Sequence, residues 1–248
     1  MLLGERLVEA VQKLDLGLPV ERVQVGLTYT AVQLQNGSTG VAYNFPRREC
    51  GVDIEDDRPL RGRRAGELIL KLGGENLSLS SVAMATINAL INGRLQLRET
   101  DFGDTLEAID IRNGDQVCMV GCFLPTVEKL KERSISTTVV DQAPKPGALP
   151  EEKSAELLPR SQVAIITATS IINGTIDRLL ALADRCREVV LLGPSTPMLT
   201  EVFRGTPVNL LSGIRVDQPD RVSQVIAEGM GFRAFKRYVT KVNLRIPE

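Results

Sequence analysis

The chain has 248 residues, of which 43% are hydrophobic and 25% charged, and its formal net charge is −1. This length allows one large domain or two domains of ordinary size, with a substantial core in either case. The near-neutral charge argues against a nucleic-acid-binding or membrane-binding surface. An aromatic content of 4%, without any Trp, argues further against a base-stacking platform.

The cysteine content and the hydropathy pattern indicate a cytoplasmic protein. Four cysteines (Cys50, Cys118, Cys122 and Cys186) are too few for a disulfide framework in a chain of this length, and their spacing matches no zinc motif. No apolar stretch is long enough to span a bilayer, and charge interrupts the N-terminal segment too early for a signal peptide. We therefore expect neither a membrane nor a nucleic acid among its partners.

The first hundred residues have the pattern of a small α+β domain. Apolar residues at helical spacing predict an opening helix that ends near Gly17, and alternating residues then predict two strands joined by an Asn36-Gly37 turn. Two further apolar segments, each stopped by glycine, predict helices. The predicted elements are strands over 20–34 and 40–45 and helices over 3–14, 60–72 and 80–92. Two strands followed by two helices are typical of an α+β domain.

The rest of the chain alternates regularly between strands and helices, which is typical of βαβ units and predicts a mostly parallel, Rossmann-like sheet. The predicted strands are 117–121, 136–141, 163–167, 189–192 and 208–211, with an edge strand over 238–246. The predicted helices are 125–131, 175–186, 198–203 and 219–229. We therefore expect an α/β protein with an α+β domain over 1–100 and a Rossmann-like domain over 101–248.

One strand-to-helix junction has the features of a ligand site. Residues 189–192 form a continuous apolar run, as expected of a strand that helices cover on both faces. Gly193 ends this strand, the hydroxyls of Ser195 and Thr196 follow, and Thr196 has the character of an N-cap for the helix over 198–203. Open α/β sheets bind ligands at the carboxyl ends of their strands, where helix N–H groups are free.

A second hydroxyl-rich junction follows the strand over 163–167. Thr167 and Thr169 come directly after that strand and would lie at the same edge of the sheet as Ser195. Such turns bind anions or carboxylates through backbone N–H groups and hydroxyls. Plain helix capping, which Ser and Thr supply routinely, explains the same residues without a ligand.

Gly121, Cys122 and Phe123 occupy the phosphate-loop position of a dinucleotide-binding fold, and Asp141 lies where an acidic residue usually binds a ribose. The glycine-rich sequence of dinucleotide-binding loops is missing, so a single adenosine-containing ligand is favoured over a dinucleotide. The interpretation favoured most is that Asp141 only ends its strand and caps a loop. At a helix N-terminus Cys122 could act as a nucleophile or a soft-metal ligand, or it could be a small buried apolar residue.

Polar residues in the first domain are ambiguous. Ser81 and Asn88 recur at helical spacing on an otherwise apolar helix, where contact with a ligand and a satisfied buried amide are equally good explanations for Asn88. Thr28 and Tyr29 are open to the same two readings. Since the chain contains no His, the easiest general base is absent.

Several of these motifs, in the same order, resemble a known family. They are Gly26-Leu27-Thr28-Tyr29-Thr30, the segments 80–89 and 120–123, Leu191-Leu192-Gly193-Pro194-Ser195-Thr196-Pro197 and Leu211-Ser212-Gly213. The chain resembles the putative heavy-metal chelation domain family over nearly its whole length. The resemblance implies an enolase-N-terminal-like domain ahead of a Rossmann-like domain, with a site in the cleft between them.

The resemblance also implies which residues line that cleft. By position they are Thr28, Tyr29, Ser81 and Asn88 from the first domain and Gly121, Cys122, Phe123, Thr167, Thr169, Gly193, Ser195 and Thr196 from the second. Members of the family carry His where this chain has Tyr29 and Cys122. The commonest neutral metal ligand is therefore absent at both places, although Cys122 could still bind a soft metal with help from Asp141 or Tyr29.

We therefore expect a cytoplasmic protein that binds a small anionic or metal-associated ligand in the interdomain cleft. Its cofactor would be a divalent soft metal; an adenine-containing cofactor has less support from the sequence. The alternative is a transferase or lyase that uses a nucleotide-like cofactor, with Cys122 or Tyr29 as the reactive group. A second copy of the chain, in a homodimer, is a further candidate partner. A mere assembly module is the third alternative for the function, and it predicts an exposed apolar patch.

Overall fold

The computed structural model describes residues 1–45, 58–143 and 145–247, and its strands form a three-stranded and a seven-stranded sheet. The smaller sheet is antiparallel in the order β1-β2-β3. Three helices belong to the same half of the chain. The bounds are β1 (Val20–Val25), β2 (Tyr29–Leu34), β3 (Thr39–Tyr43), α1 (Leu3–Val11), α2 (Ala65–Ile69) and α3 (Leu77–Asn92).

The prediction of one strand over 20–34 is wrong, because the chain reverses direction between β1 and β2. The reversal is a tight turn in which the Gly26 N–H donates to the Tyr29 carbonyl at 2.9 Å. A Cβ on Gly26 would lie 2.3 Å from the Ile226 carbonyl oxygen, so the turn packs directly against another backbone. Apolar residues alternate with polar ones on both sides of the turn, and a pattern of period two does not reveal strand direction.

Helix α3 begins three residues before its predicted start, because the Asn76 side chain caps it by accepting a hydrogen bond from the Leu79 N–H at 3.1 Å. Every residue from 78 to 91 is buried. One face of the helix lies on β3, and the Ser80 hydroxyl donates to the carbonyl of Ile172 in the other half of the chain. Helix α3 is thus the shared core of the two halves, since apolar and small polar residues surround it on all sides and its hydroxyls bond backbone carbonyls.

The larger sheet confirms the predicted mostly parallel α/β architecture. Its strands are β4 (Gln116–Val120), β5 (Ser136–Asp141), β6 (Ala148–Pro150), β7 (Val163–Thr167), β8 (Glu188–Leu192), β9 (Leu210–Val216) and β10 (Val239–Arg245). Their order is β6-β5-β4-β7-β8-β9-β10, in which only β10 is antiparallel to its neighbour. The order therefore reverses between β4 and β7, the type of point at which doubly wound sheets form a crevice.

Helices cover the larger sheet, and those predicted over 125–131, 175–186 and 219–229 lie within a few residues of their predicted places. The helices are α4 (Thr105–Ala108), α5 (Leu124–Glu132), α6 (Ser154–Leu157), α7 (Thr169–Ile172), α8 (Ile176–Leu182), α9 (Pro219–Ala227) and α10 (Phe232–Phe235). One apolar cluster runs through both halves, from α1 and α3 to the strands of the larger sheet. Within the described residues, no helix combines the length and hydropathy needed to cross a bilayer.

The helix predicted over 198–203, with Thr196 as its N-cap, is wrong. Only a turn of 3₁₀ helix forms, at Thr200–Phe203. The Thr196 hydroxyl donates to the carbonyls of Gly193 at 2.8 Å and Ser212 at 3.0 Å instead of accepting from helix N–H groups. The chain is therefore bound to β9 at this point, and no α-helix N-terminus follows β8. The predicted division at residue 100 and the enolase-like character of the first half stay predictions.

The contact between α3 and β3 leads to a stability prediction. A Cβ on Gly40 would lie 2.2 Å from both the Ala85 carbonyl oxygen and the Ala89 nitrogen, which are backbone atoms that cannot swing aside. We expect Gly40→Ala to destabilise the protein by about 1–3 kcal/mol or more, as overpacking does. Urea unfolding measures the loss.

Gly4→Ala is the matched control. Gly4 lies in helix α1, and a Cβ there would meet only Leu72 Cδ2, at 3.9 Å. The same substitution should there stabilise the protein by roughly 0.5–1 kcal/mol through helix propensity. Equal effects of the two substitutions would contradict the backbone-to-backbone packing of α3 on β3.

Candidate functional site

A cavity of about 700 Å³ lies at the carboxyl edge of the larger sheet, where the strand order reverses. The ends of β4, β5, β7 and β8 form one side, and β2 and β3 of the smaller sheet contribute to the other. Nine of the predicted site residues line it together. They are Tyr29, Gly121, Cys122, Phe123, Asp141, Thr167, Thr169, Gly193 and Ser195.

Four predicted site residues lie outside the cavity lining: Thr28, Ser81, Asn88 and Thr196. The Ser81 hydroxyl donates to the Leu77 carbonyl within α3. The Asn88 amide donates to the carbonyls of Val41 at 2.9 Å and Ser195 at 3.3 Å. The Asn88 nitrogen supports the cavity wall from behind, whereas its Oδ1 is buried without a hydrogen-bond partner in the described chain, so contact of Asn88 with a ligand stays a prediction.

Two glycine turns shape the cavity. Gly121 has φ +89°, and a Cβ there would lie 2.8 Å from Thr167 Cβ. Gly193 has φ +123°, and a Cβ there would lie 3.5 Å from the ring of Phe123. Both positions need the left-handed backbone that glycine adopts without strain. The missing side chains allow the loops after β4, β7 and β8 to meet at one place.

The carboxylate of Asp141 joins the loops after β4 and β5. It accepts hydrogen bonds from the Cys122 N–H at 2.8 Å, the Ala143 N–H at 2.9 Å and the Lys145 ammonium at 2.6 Å. Burial works to raise the pKa of Asp141, but the bond from Lys145 and the two N–H bonds outweigh it and lower the pKa below its usual value. This is the geometry of the loop-capping alternative, because the carboxylate already has three donors.

The hydroxyl groups of the cavity are partly engaged. Thr167 Oγ1 and Thr169 Oγ1 lie 3.0 Å apart and share one hydrogen bond. Ser195 Oγ accepts from the Tyr43 N–H at 2.8 Å, a contact that joins the loop after β8 to β3. The Ser195 hydroxyl can still donate its own proton, since within the described chain it only accepts.

The described residues do not form a chelating set for a metal ion. No three His, Cys, Asp or Glu side chains converge among them. In the cavity, Cys122 has a free thiol, Asp141 is paired with Lys145, and Glu151 is paired with Arg178 at 2.7 Å. One soft donor beside two compensated carboxylates falls short of the four ligands that a bound zinc ion needs.

The remaining cysteines add no donor to this site. Burial raises the pKa of Cys118 to about 12 and that of Cys186 to about 11, so both thiols stay protonated and unreactive. Cys50 lies outside the described residues.

The Tyr29 hydroxyl is poorly suited to act as a base. Burial, and next the neighbouring Tyr43, raise the pKa of Tyr29 above its usual value. Tyr29 therefore remains a neutral phenol at physiological pH, which can donate or accept a hydrogen bond to a ligand. As the reactive group of an enzyme it would have to act as a proton donor.

The sequence reasoning missed several residues of the cavity. Tyr43 and Phe45 line it beside Tyr29, and Lys145 and Glu151 provide charges. Tyr43 pairs directly with Tyr29 across β2 and β3, and the predicted hairpin at Asn36-Gly37 could have indicated this pair. Lys145 follows Asp141 by four residues, a spacing of opposite charges that could have indicated the ion pair.

With this geometry in view, comparisons with known proteins identify the family. Models of two families, DUF364 and DUF4213, match residues 104–245 and 8–91, respectively, and both families are described as putative heavy-metal chelation. The DUF364 match alone covers more than half of the chain. The chain belongs to the DUF364 family.

Other DUF364 proteins share the fold at low sequence identity. A protein of unknown function from Pyrococcus horikoshii superposes with a TM-score of 0.87 at 24% identity, covering 99% of this chain and 100% of that one. A second, from Desulfitobacterium hafniense, gives 0.78 at 22% identity, with 98% of both chains covered. Identities this low establish a common fold and no common ligand.

An uncharacterised protein of Methanocaldococcus jannaschii is 23% identical over 171 residues. The aligned region covers 67% of this chain and 66% of that protein. The chain thus spans slightly less than two thirds of that relative's length.

The three hydrogen bonds to the Asp141 carboxylate lead to a prediction about stability in acid. A carboxylate with a lowered folded pKa stabilises the native state above its unfolded pKa of about 3.9, and the contribution is lost as the pH falls through the folded pKa. We expect Asp141→Asn to cost about 1.5–3 kcal/mol at neutral pH, the value of hydrogen bonds to a charged group. The difference from wild type should shrink as the pH falls below about 4.

Urea unfolding between neutral and acid pH measures this difference. Asp220→Asn is the control, because Asp220 is 82% exposed and pairs with Arg22 at the surface. It should change stability by less than about 1 kcal/mol. An Asp141→Asn variant no less stable than Asp220→Asn would contradict the role of Asp141 as a loop clamp.

Tyr29 leads to a prediction at alkaline pH. Its raised folded pKa means that its contribution to stability is fully present below the unfolded pKa of about 10 and is lost as the pH rises above that value. Tyrosinate absorbance should show that the Tyr29 phenol fails to ionise near the usual pH of tyrosine in the native protein. Tyr29→Phe should remove that delayed phenol and reduce the alkaline loss of stability; a normal titration of all three tyrosines would contradict the burial of Tyr29.

Proposed function

We propose that this DUF364 protein binds a small anionic or metal-associated ligand in the cavity at the carboxyl edge of the larger sheet. The cavity volume of about 700 Å³ lies within the range of small-molecule sites, about 300–1,000 Å³. The site also lies where the strand order reverses, the usual ligand position in open α/β sheets.

The single observation that carries the proposal is the placement of Lys145. Among the described lining residues it supplies the positive charge, and its ammonium bonds Asp141 at 2.6 Å while remaining 44% exposed. An ammonium group has three donors, so two are left for an anionic group of a ligand. The hydroxyls of Thr167, Thr169 and Ser195 lie in the same cavity and supplement these donors.

A metal would enter this site together with ligands of its own. The Cys122 thiol could provide one soft donor, and the other donors would come from an organic chelator or from water, because the described side chains do not form a chelating set. This proposal is compatible with the description of the family while assigning the protein the role of holding a metal complex.

An enzyme remains a second candidate because of one specific observation. Asp141 ends the strand next to β4, the position at which related doubly wound sheets bind a ribose. A transferase or lyase with a nucleotide-like cofactor would use Cys122 or Tyr29 as the reactive group. Cys122→Ala discriminates the two candidates, since a thiol nucleophile would lose turnover whereas a binding protein would retain affinity for an anion.

Thermal unfolding of metal-free protein tests the proposal. The panel contains soft divalent metals, the same metals with citrate, citrate and phosphate alone, adenine nucleotides and S-adenosylmethionine. A ligand at a hundredfold excess over its dissociation constant stabilises the native state by about 2.7 kcal/mol. For a chain of this size that corresponds to a shift of roughly 5–11 °C.

We expect an anionic member of the panel to raise the midpoint and Lys145→Met to abolish that rise. Lys153→Met is the control, since Lys153 is also exposed but pairs with Glu156 away from the cavity. A soft-metal contribution should disappear in Cys122→Ala. A rise caused only by an adenine compound would favour the enzyme, and no rise with any member of the panel would refute anion binding at this site.

A further inference from the structure

The aromatic side chains of this protein are concentrated around the cavity. The chain has nine in total, six Phe and three Tyr, and four of them line this one cavity. Tyr29, Tyr43 and Phe45 belong to the smaller sheet and its end, and Phe123 precedes α5. Neither the requirement for a positive charge nor the description of the family accounts for this concentration.

Three of these rings form a fixed wall. Tyr29 and Tyr43 are opposite each other on β2 and β3, and their ring centroids lie 5.8 Å apart at 82°. Phe45 continues the row from Tyr43 at 5.1 Å, and the buried Phe235 supports Tyr29 from behind at 5.1 Å. Such edge-to-face contacts hold each ring in one orientation, so little ordering is required when a ligand binds.

Phe123 lies beside the loop after β8, and the same loop contacts β3 of this wall. A Cβ on Gly193 would lie 3.5 Å from the Phe123 ring, and Ser195, two residues further on, accepts the Tyr43 N–H. Residues 193–196 form a tight turn, in which the Thr196 N–H donates to the Gly193 carbonyl at 3.0 Å. Phe123 therefore lines the cavity from the side of the larger sheet, and the three rings of the wall line it from the side of the smaller sheet.

The phenol groups of the wall have unused hydrogen-bonding capacity. Neither the Tyr29 nor the Tyr43 hydroxyl makes a hydrogen bond within the described chain, although both side chains are half-buried and line the cavity. A tyrosine hydroxyl that is buried usually has a hydrogen-bond partner. A ligand that covers these two hydroxyls would therefore need polar atoms on the edge of its ring.

We propose that the ligand of this cavity carries a planar conjugated ring, held between Phe123 and the Tyr29–Tyr43–Phe45 wall, with polar edge atoms that bond the two phenol hydroxyls. This inference rests on the proposed function, since the anionic group of the same ligand would meet Lys145. The ring contacts and the contact with Lys145 together define the ligand class as a heteroaromatic acid, free or as a metal complex.

Three probes of equal charge and similar shape test the inference by isothermal titration calorimetry. Naphthoate has two flat fused rings, decalin carboxylate is its saturated and puckered counterpart, and quinoline carboxylate adds a ring nitrogen. Aromatic contacts of about 0.5–1.5 kcal/mol correspond to roughly 2- to 12-fold in affinity. We expect naphthoate to bind by that factor more tightly than decalin carboxylate, and quinoline carboxylate to bind more tightly still.

Variants separate the ring contacts from the anion contact. Phe123→Leu keeps an apolar side chain and should weaken naphthoate by about 2- to 12-fold while leaving decalin carboxylate nearly unchanged. Phe102→Leu is the matched control, because Phe102 is 39% exposed beside Arg215, outside the cavity. Replacing Tyr29 and Tyr43 with Phe should make quinoline carboxylate and naphthoate bind equally, whereas Lys145→Met should weaken all three acids alike.

The outcomes distinguish this inference from the function on which it rests. If decalin carboxylate binds wild type as tightly as naphthoate, or if Phe123→Leu behaves like Phe102→Leu, the ring inference is overturned. It is also overturned if no aromatic acid binds. In each case anion binding survives when a non-aromatic member of the thermal panel still raises the midpoint and Lys145→Met abolishes the rise; without such a rise, both proposals fail.

Discussion

The packing of helix α3 against β3 fixes the position of the smaller sheet relative to the larger one. Residues 78–91 of this helix are buried, and at Gly40 the two backbones approach so closely that a methyl group would overlap them. The same helix bonds Ile172 through Ser80 and Ser195 through Asn88. Because interiors are close-packed, a shift of β3 would disturb contacts with both halves of the chain.

The shape of the cavity follows from this constraint. Tyr43 bonds the loop after β8 through its backbone N–H, so the ring wall of the smaller sheet is held at a set distance from the glycine turns of the larger one. Asp141 performs the corresponding task on the other side by holding the loops after β4 and β5 together. Neither clamp needs a ligand, so the cavity exists before anything binds, which lowers the entropy cost of binding.

The sequence predicted the larger sheet well because its central strands are covered on both faces. β8 is a continuous apolar run from residue 189 to residue 192, which distinguishes it from the surrounding helices, and Gly193 clearly marks its end. The candidate residues at the ends of β4, β5, β7 and β8 were therefore predictable, since parallel strands place their carboxyl ends at one edge. Eight of the nine predicted residues in the cavity lining meet there for that reason, and Tyr29 reaches the cavity from the smaller sheet.

The missed features depend on contacts between distant segments. The turn at Gly26 carries no Asn-Gly signal, and its glycine is required by the backbone of Ile226, two hundred residues away. Thr196 could serve equally as a helix cap or as a donor to carbonyls, and the position of Ser212 decides between them. Tyr43 and Phe45 enter the site only because β3 pairs with β2 in one register, which alternation alone does not define.

The balance of charges limits what the cavity can recognise. The described lining has three charged groups, of which Asp141 pairs with Lys145 and Glu151 pairs with Arg178 outside the lining, so it offers no net positive charge. A polyanion such as a nucleoside triphosphate would meet two carboxylates and one ammonium already engaged, and two of its charges would be poorly compensated. Discrimination must then come mainly from shape, ring contacts and hydrogen bonds, which can distinguish ligands strongly when an unsatisfied polar group would otherwise be buried. The unpartnered phenols of Tyr29 and Tyr43 are such groups, so a ligand of the right outline without polar edge atoms should be bound less tightly than one that satisfies them.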